Sequence, residues 1–187
     1  LEILEKPGLR GSRFRYRGQE YRLYLGGAYQ VTNALTAIEA LTCAGVTPAH
    51  IAMGIERARI PARMELLPGD ILLDGGHNPQ AARAVRSALE DSGYERRTAF
   101  IGMMNTKDHR AFLQEILPCF DRVYFCDGFS EGEVPAEELR RISGLDGAVL
   151  FCSRREGVKL ARRAQGSGLL YFGGSFYFAA AVREYLV

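Results

Sequence analysis

The spacing of apolar positions along this 187-residue chain changes twice, and the changes divide it into parts. In residues 13–25, RFRYRGQEYRLYL, two runs with partial alternation meet around Gly18 and Gln19, which predicts a hairpin. From Tyr29 to Ala44 the period lengthens: Val31, Ala34, Leu35, Ile38 and Leu41 recur at helical spacing, and Gly45 is placed to cap the end. Thr47 and Pro48 have the character of a cap and a first helical residue, opening a second helix that runs to about Ala58. Residues 59–70, RIPARMELLPGD, then break the helical period with two prolines and a glycine. After them strands and helices alternate. Strands are expected at 71–74, 98–103, 122–126, 148–152 and 168–172, and helices at 79–91, 108–117, 135–142, 154–165 and 175–186. Five strand–helix units in a row predict an α/β fold with a mainly parallel, doubly wound sheet and helices on both faces. The expected domain boundary lies near Ile60, giving domains 1–60 and 61–187.

Composition bears on function more than on fold. With 47% hydrophobic residues, 25% charged residues and a formal net charge of +2, the chain gives no electrostatic case for nucleic acid or an anionic membrane, so the expected partner is a small molecule. No apolar run approaches the ~18 residues of a membrane span, and LEILEKPGLRG lacks the order of a secretory signal, so the cytoplasm is the expected location. Cys43, Cys119, Cys126 and Cys152 form no C-x-x-C pair and fall in apolar patterns, as buried thiols of a reducing compartment do. The chain begins at Leu1 and its earliest methionine is Met53, from which a start inside a longer protein is expected.

Ligands of open α/β sheets bind at the carboxyl ends of the strands, near helix N-termini. Asp74, His77 and Asn78 follow the first expected strand of the second part, Asn105, Lys107 and Asp108 the second, and Gly173, Gly174 and Ser175 the last. Each also has a plainer role. Asp74 can cap the next helix, although Asn78 followed by Pro79 is the better capping pair. His77 follows two glycines, which suits close approach to a ligand, and histidine as a residue type can exchange a proton near neutral pH. Lys107 can be a solvated lysine, and Ser175 can either cap the last helix or help bind a carboxylate or phosphate there. His50 fits a structural role, and His109 either helps the Lys107 loop or, as the default, is solvated at the surface. Neither G-x-x-x-x-G-K-[ST] nor G-x-G-x-x-G after a strand occurs, so the chain has no phosphate cradle or dinucleotide fingerprint. Separated histidines without a carboxylate cluster argue against a protein-built metal site; Mg²⁺ is expected to arrive with a nucleotide.

Five stretches together resemble one family. LLDGGHNP is similar to the Leu-Asp-Gly-Ala-His-Asn-Pro signature of the folylpolyglutamate and dihydrofolate synthases, members of the Mur ligase superfamily of ATP-dependent amide ligases. IPARMELL resembles the family's Pro-Gly-Arg-x-Glu linker, GAYQVTNALTAIEAL its Gly-x-His-Gln-x-x-Asn helix, IGMMNTKD its Gly-Met-x-x-Lys-Asp loop, and GGSFYFAAAVREYL its closing Gly-Ser helix. The matches fall in the family's order.

The resemblance implies that residues 1–60 are the tail of a central ATP-binding domain and 61–187 a Rossmann-like C-terminal glutamate-ligase domain. It implies ATP and Mg²⁺, with the metal held mainly outside this chain, and L-glutamate and folate or dihydropteroate as substrates of a monomeric enzyme. Without a phosphate loop the chain by itself is expected to be inactive. By position, the resemblance assigns Asn33, Arg63, Asp74 and His77 to ATP, Lys107 and Ser175 to the incoming glutamate, and catalytic roles to Arg63, His77 and Lys107. Tyr29, Ala62 and Gly76 depart from the family's histidine, glycine and alanine. A UDP-muramoyl amino-acid ligase of the same superfamily and a non-catalytic α/β binding module are the alternatives.

Overall fold

The computed structural model describes residues 1–145, 149–164, 166 and 168–186. The expected hairpin is β2 (Gly11–Tyr16) and β3 (Gln19–Leu23). Its turn sits at Arg17 and Gly18, one residue earlier than the sequence pattern places it, and both residues have positive φ, the geometry that matches strand twist in a tight hairpin. A further strand, β1 (Glu2–Gly8), pairs antiparallel with β2. Its sequence EILEKPG has no continuous apolar face, and Pro7 is tolerated because the strand is an edge.

Two helices, α1 (Tyr29–Cys43) and α2 (Pro48–Arg57), cover this small sheet, packing Val31, Ile38, Ile51 and Ile55 against Phe14, Tyr21 and Leu23. Gly45 follows α1 with φ of 81°, as a helix stop requires. Thr47 does not make the expected capping bond to the helix backbone; its Oγ1 is instead 2.7 Å from Nδ1 of His50, a structural role for that histidine.

The second sheet contains β4 (Glu65–Leu67), β5 (Ile71–Asp74), β6 (Arg97–Ile101), β7 (Arg122–Asp127), β8 (Val149–Ser153) and β9 (Leu169–Gly173), in the order β4-β5-β9-β6-β7-β8. All neighbours run parallel except β4, which pairs antiparallel with β5. The intervening helices are α3 (Pro79–Glu90), α4 (His109–Ile116), α5 (Ala136–Ser143), α6 (Arg154–Ala164) and α7 (Phe176–Leu186). Val85, Phe112 and Leu139 of α3, α4 and α5 fill one face of the sheet, and Val158 and Phe178 of α6 and α7 fill the other, which gives the doubly wound arrangement. Each expected strand and helix of this part is present within two residues of its expected bounds, residues 148 and 165 of those bounds lying outside the described residues.

Because β9 is inserted between β5 and β6, the loops after these three strands lie side by side at the carboxyl edge. Of the thiols expected to be buried, Cys126 is, Cys119 is half-buried, and Cys43, in the last turn of α1, is exposed; the Cys152 side chain lies outside what is described. Among the described residues no helix is long and apolar enough to cross a membrane.

Candidate functional site

Asp74 ends β5 with 3% of its surface exposed. Its Oδ2 accepts a hydrogen bond from the Met64 amide at 2.9 Å and its Oδ1 one from the Gly76 amide at 2.8 Å. The carboxylate therefore does not cap α3. Asn78 does, accepting from the Ala81 amide at 2.8 Å. Burial pushes the Asp74 carboxyl pKa up, against the opposing pull of the two amides, Arg63 and His77.

What Asp74 holds is the linker between the two sheets. Ala62 and Met64 both adopt left-handed backbone, with φ of 54° and 44°. The Gly75 amide donates to the Ala62 carbonyl at 2.7 Å, and the Ala62 amide donates to Glu65 Oε2 at 2.9 Å. Glu65 in turn receives a two-pronged bond from Arg183 of α7 at 3.0–3.1 Å. Ala62 stands where the resembled linker has glycine, and its φ is one that glycine adopts without steric cost. Ala62→Gly is accordingly expected to stabilise the chain by about 0.5–1 kcal/mol, measured by urea unfolding. Gly76 has the opposite constraint: a Cβ there would lie 2.4 Å from Asp74 Oδ1 and 2.6 Å from the Ala81 Cβ. Gly76→Ala, which restores the signature residue, is expected to destabilise by about 1–3 kcal/mol in the same assay.

The linker, α1, β5 and the start of α3 enclose a cleft of about 360 Å³ lined by Tyr29, Asn33, Arg63, Asp74, Asn78 and Gln80, among others. Asn33 Nδ2 donates to Gln30 Oε1 at 2.9 Å, and Gln30 is itself buried at the start of α1. The Arg63 guanidinium lies 4.3 Å from the ring centroid of Phe176, the first residue of α7. Such stacking restrains a long side chain while leaving its donors free for an anion. The same ring packs so closely on Gly75 that a Cβ there would meet it at 2.3 Å, and the His77 ring stands edge-on to it at 6.5 Å. Nδ1 of His77 lies 3.1 Å from the Gly75 carbonyl, an oxygen that can only accept, so Nδ1 is the donor.

Tyr29, at the position of the resembled histidine, has its pKa pushed up to about 12 by burial first and then by Asp74. It is a neutral hydrogen-bond donor at physiological pH, where histidine can change charge. Its native pKa lies above the value of 10.0 for an unperturbed phenol, so between about 10 and 12 the native chain keeps a proton that the unfolded chain sheds. Tyr29 thus lowers stability as pH rises through that window. An absorbance titration of wild type minus Tyr29→Phe is expected to show a midpoint near 12; a midpoint near 10 would mean that the phenol is solvated.

The structure brings Asn33, Arg63 and Asp74 together in the cleft and sets His77 beside it across Phe176. Ser175 is buried and its Oγ accepts from the Tyr177 amide at 3.1 Å, so it occupies the capping role. Lys107 is half-buried in the loop after β6, does not line the cleft, and has no ion pair among the described residues. His109 is not merely solvated: its Nε2 lies 2.8 Å from the Met104 carbonyl, tying the same loop. Gln30, Glu65, Phe176 and Arg183 were not singled out by sequence reasoning. All four lie within the motifs already quoted. Among the described residues no three His, Cys, Asp or Glu side chains gather at metal-ligand spacing, and both Asp74 oxygens are committed to amides, so the residues present do not fit a Mg²⁺ site.

The family model of the Mur ligase glutamate ligase domain matches residues 62–176, more than half of the chain and the whole stretch from the linker to Phe176. The chain belongs to the Mur ligase family. Within it, the folylpolyglutamate synthase of Lacticaseibacillus casei is 27% identical over 190 residues, covering 95% of this chain and 44% of that protein. A UDP-N-acetylmuramoyl-L-alanyl-D-glutamate–2,6-diaminopimelate ligase of Corynebacterium efficiens is 35% identical over 121 residues, covering 61% of this chain and 23% of that protein. The crystal structure of Mycobacterium tuberculosis folylpolyglutamate synthase, complexed with ADP and AMPPCP, superposes with a TM-score of 0.79 at 22% identity, over 98% of this chain and 45% of that one, and shares its fold. This Mur ligase chain spans less than half the length of these relatives.

Proposed function

We propose that the chain is the C-terminal part of an ATP-dependent ligase that joins L-glutamate to the carboxylate of a folate or dihydropteroate through an acyl phosphate. In this reading residues 1–60 end an ATP-binding domain, 61–187 form the glutamate-ligase domain, and the enzyme works as a monomer in the cytoplasm. The observation that carries the proposal is the cleft uniting Asn33 and Arg63 at the start of the matched domain. Support comes also from the likeness of 95% of this chain to the L. casei folylpolyglutamate synthase, of which it covers 44%, and from the nucleotides bound by the M. tuberculosis enzyme.

ATP supplies the phosphoryl group that activates the acceptor carboxylate. The work of this chain is to hold charge and position. Arg63, braced by Phe176, presents a permanently charged, planar donor set to phosphate oxygens, and Asn33, oriented by Gln30, donates beside it. Nε2 of His77 is available to a polar group of the nucleotide. Lys107, with no ion pair among the described residues, and the hydroxyl proton of Ser175 stand on adjacent loops for the carboxylates of glutamate. Bringing its amine within ~3–3.5 Å of the acyl carbon, with water excluded, is the remaining requirement.

The cell-wall reading has its own support in the C. efficiens ligase, which is 35% identical over the compared region. ATP-dependent joining of labelled glutamate to dihydropteroate, to tetrahydrofolate and to a UDP-muramoyl peptide, each tested separately with the ligase containing this chain, distinguishes the two. Incorporation on a pterin acceptor is the expected result, and incorporation on the muramoyl acceptor alone would replace it. The 187-residue chain, lacking any G-x-x-x-x-G-K-[ST] sequence, is expected to turn over none of them by itself.

A further inference from the structure

A second groove, of about 550 Å³, runs along the linker where the end of β3, residues 59–67 and α7 meet. Five arginines line it, Arg10, Arg22, Arg59, Arg63 and Arg183, against one carboxylate, Glu65. Glu65 is already engaged by Arg183, and Arg10 lies 3.6 Å from Asp70 outside the groove lining. Arg22, Arg59 and Arg63 are left without an ion pair among the described residues. Arg22 and Arg59 both lie over the half-exposed ring of Tyr24, at 5.1 and 4.7 Å from its centroid, which keeps two guanidinium groups within about 10 Å of each other. Arg59 is further held by donating from Nη1 to the Glu56 and Ala58 carbonyls, both at 2.8 Å. Like charges gathered in a groove raise one another's energy until an anion sits between them.

We propose that this groove binds an oligoanion, a small ligand bearing two or more carboxylates or phosphates separated by a few ångströms. Guanidinium groups take both anions through paired N–H donors. Arg22 and Arg59, both held against the Tyr24 ring, are spaced to hold separate anionic groups of one chain. Under the function proposed above, each glutamate added leaves one more carboxylate on the product, and the groove would then hold that growing chain; this last assignment rests on that reading, whereas the site itself does not.

The test is calorimetric titration of the chain, without ATP or acceptor, with tetra-γ-glutamate and separately with inorganic tripolyphosphate at low ionic strength. At least one probe is expected to bind with affinity that falls at least tenfold in Arg22→Ala/Arg59→Ala and recovers in part in Arg22→Lys/Arg59→Lys, with both variants still folded because the two side chains are exposed and lose only their contacts with Tyr24 and with the Glu56 and Ala58 carbonyls. Which probe responds tells a carboxylate from a phosphate ligand. Absence of binding by either probe, or binding that the double alanine variant leaves intact, would overturn the proposal. Since no turnover is measured, failure of the ligase reading leaves this result untouched.

Discussion

Asp74→Ala is expected to lower the unfolding free energy by roughly 2–6 kcal/mol, the largest loss for any single substitution in the cleft. The side chain is buried and accepts from the amides of two buried residues, Met64 and Gly76, which the substitution leaves without that partner. Each orphaned amide costs about 1–3 kcal/mol. Asp74→Asn is expected to recover less than half of that loss, because its Nδ2 donor would face one of the two amide donors. Urea unfolding of the two variants measures both. A loss below about 1 kcal/mol for the alanine variant would mean that the linker is held by Glu65 and Arg183 rather than by β5.

In the proposed ligase, Arg63→Ala is expected to lower kcat by about 10²–10³-fold, the range for removing one donor aimed at developing negative charge. Its stability cost should be small, about 0.5–1 kcal/mol, since what it loses in the folded chain is stacking on Phe176. Steady-state kinetics beside thermal unfolding separates the two effects. Unchanged kcat would remove Arg63 from the phosphates, and the same variant would then report only on packing.

Sequence patterning located the second sheet well because its inner strands are buried on both faces: ILLD of β5 and LLYFG of β9 are fully buried runs between clear helical periods. β1 and β4 escaped it for different reasons. β1 is a charged edge strand held by pairing with β2, and β4 is three residues long inside a segment that reads as a break. At the site, the chemistry of Asp74 and Arg63 was visible, but what Asp74 does was not. Spacing weighed it as a cap for the helix that follows, whereas its second partner is the amide of Met64, ten residues before it. Arg183 and Glu65 are 118 residues apart, and Phe176 reaches Arg63 only after β9 is in place. Local sequence carries no trace of such pairings.

The insertion of β9 between β5 and β6 also sets an order of assembly. β5 leaves the ribosome roughly 100 residues before its partner β9 is made, which at about 5–20 residues per second is an interval of roughly 5–20 s. During that time β5 can close only against β4, and its other edge, a fully apolar tract apart from Asp74, is open. Nascent chains are therefore most exposed to edge-to-edge association in this interval, and a chain cut before Leu169 would leave the sheet in two halves and Arg63 without the Phe176 ring that braces it.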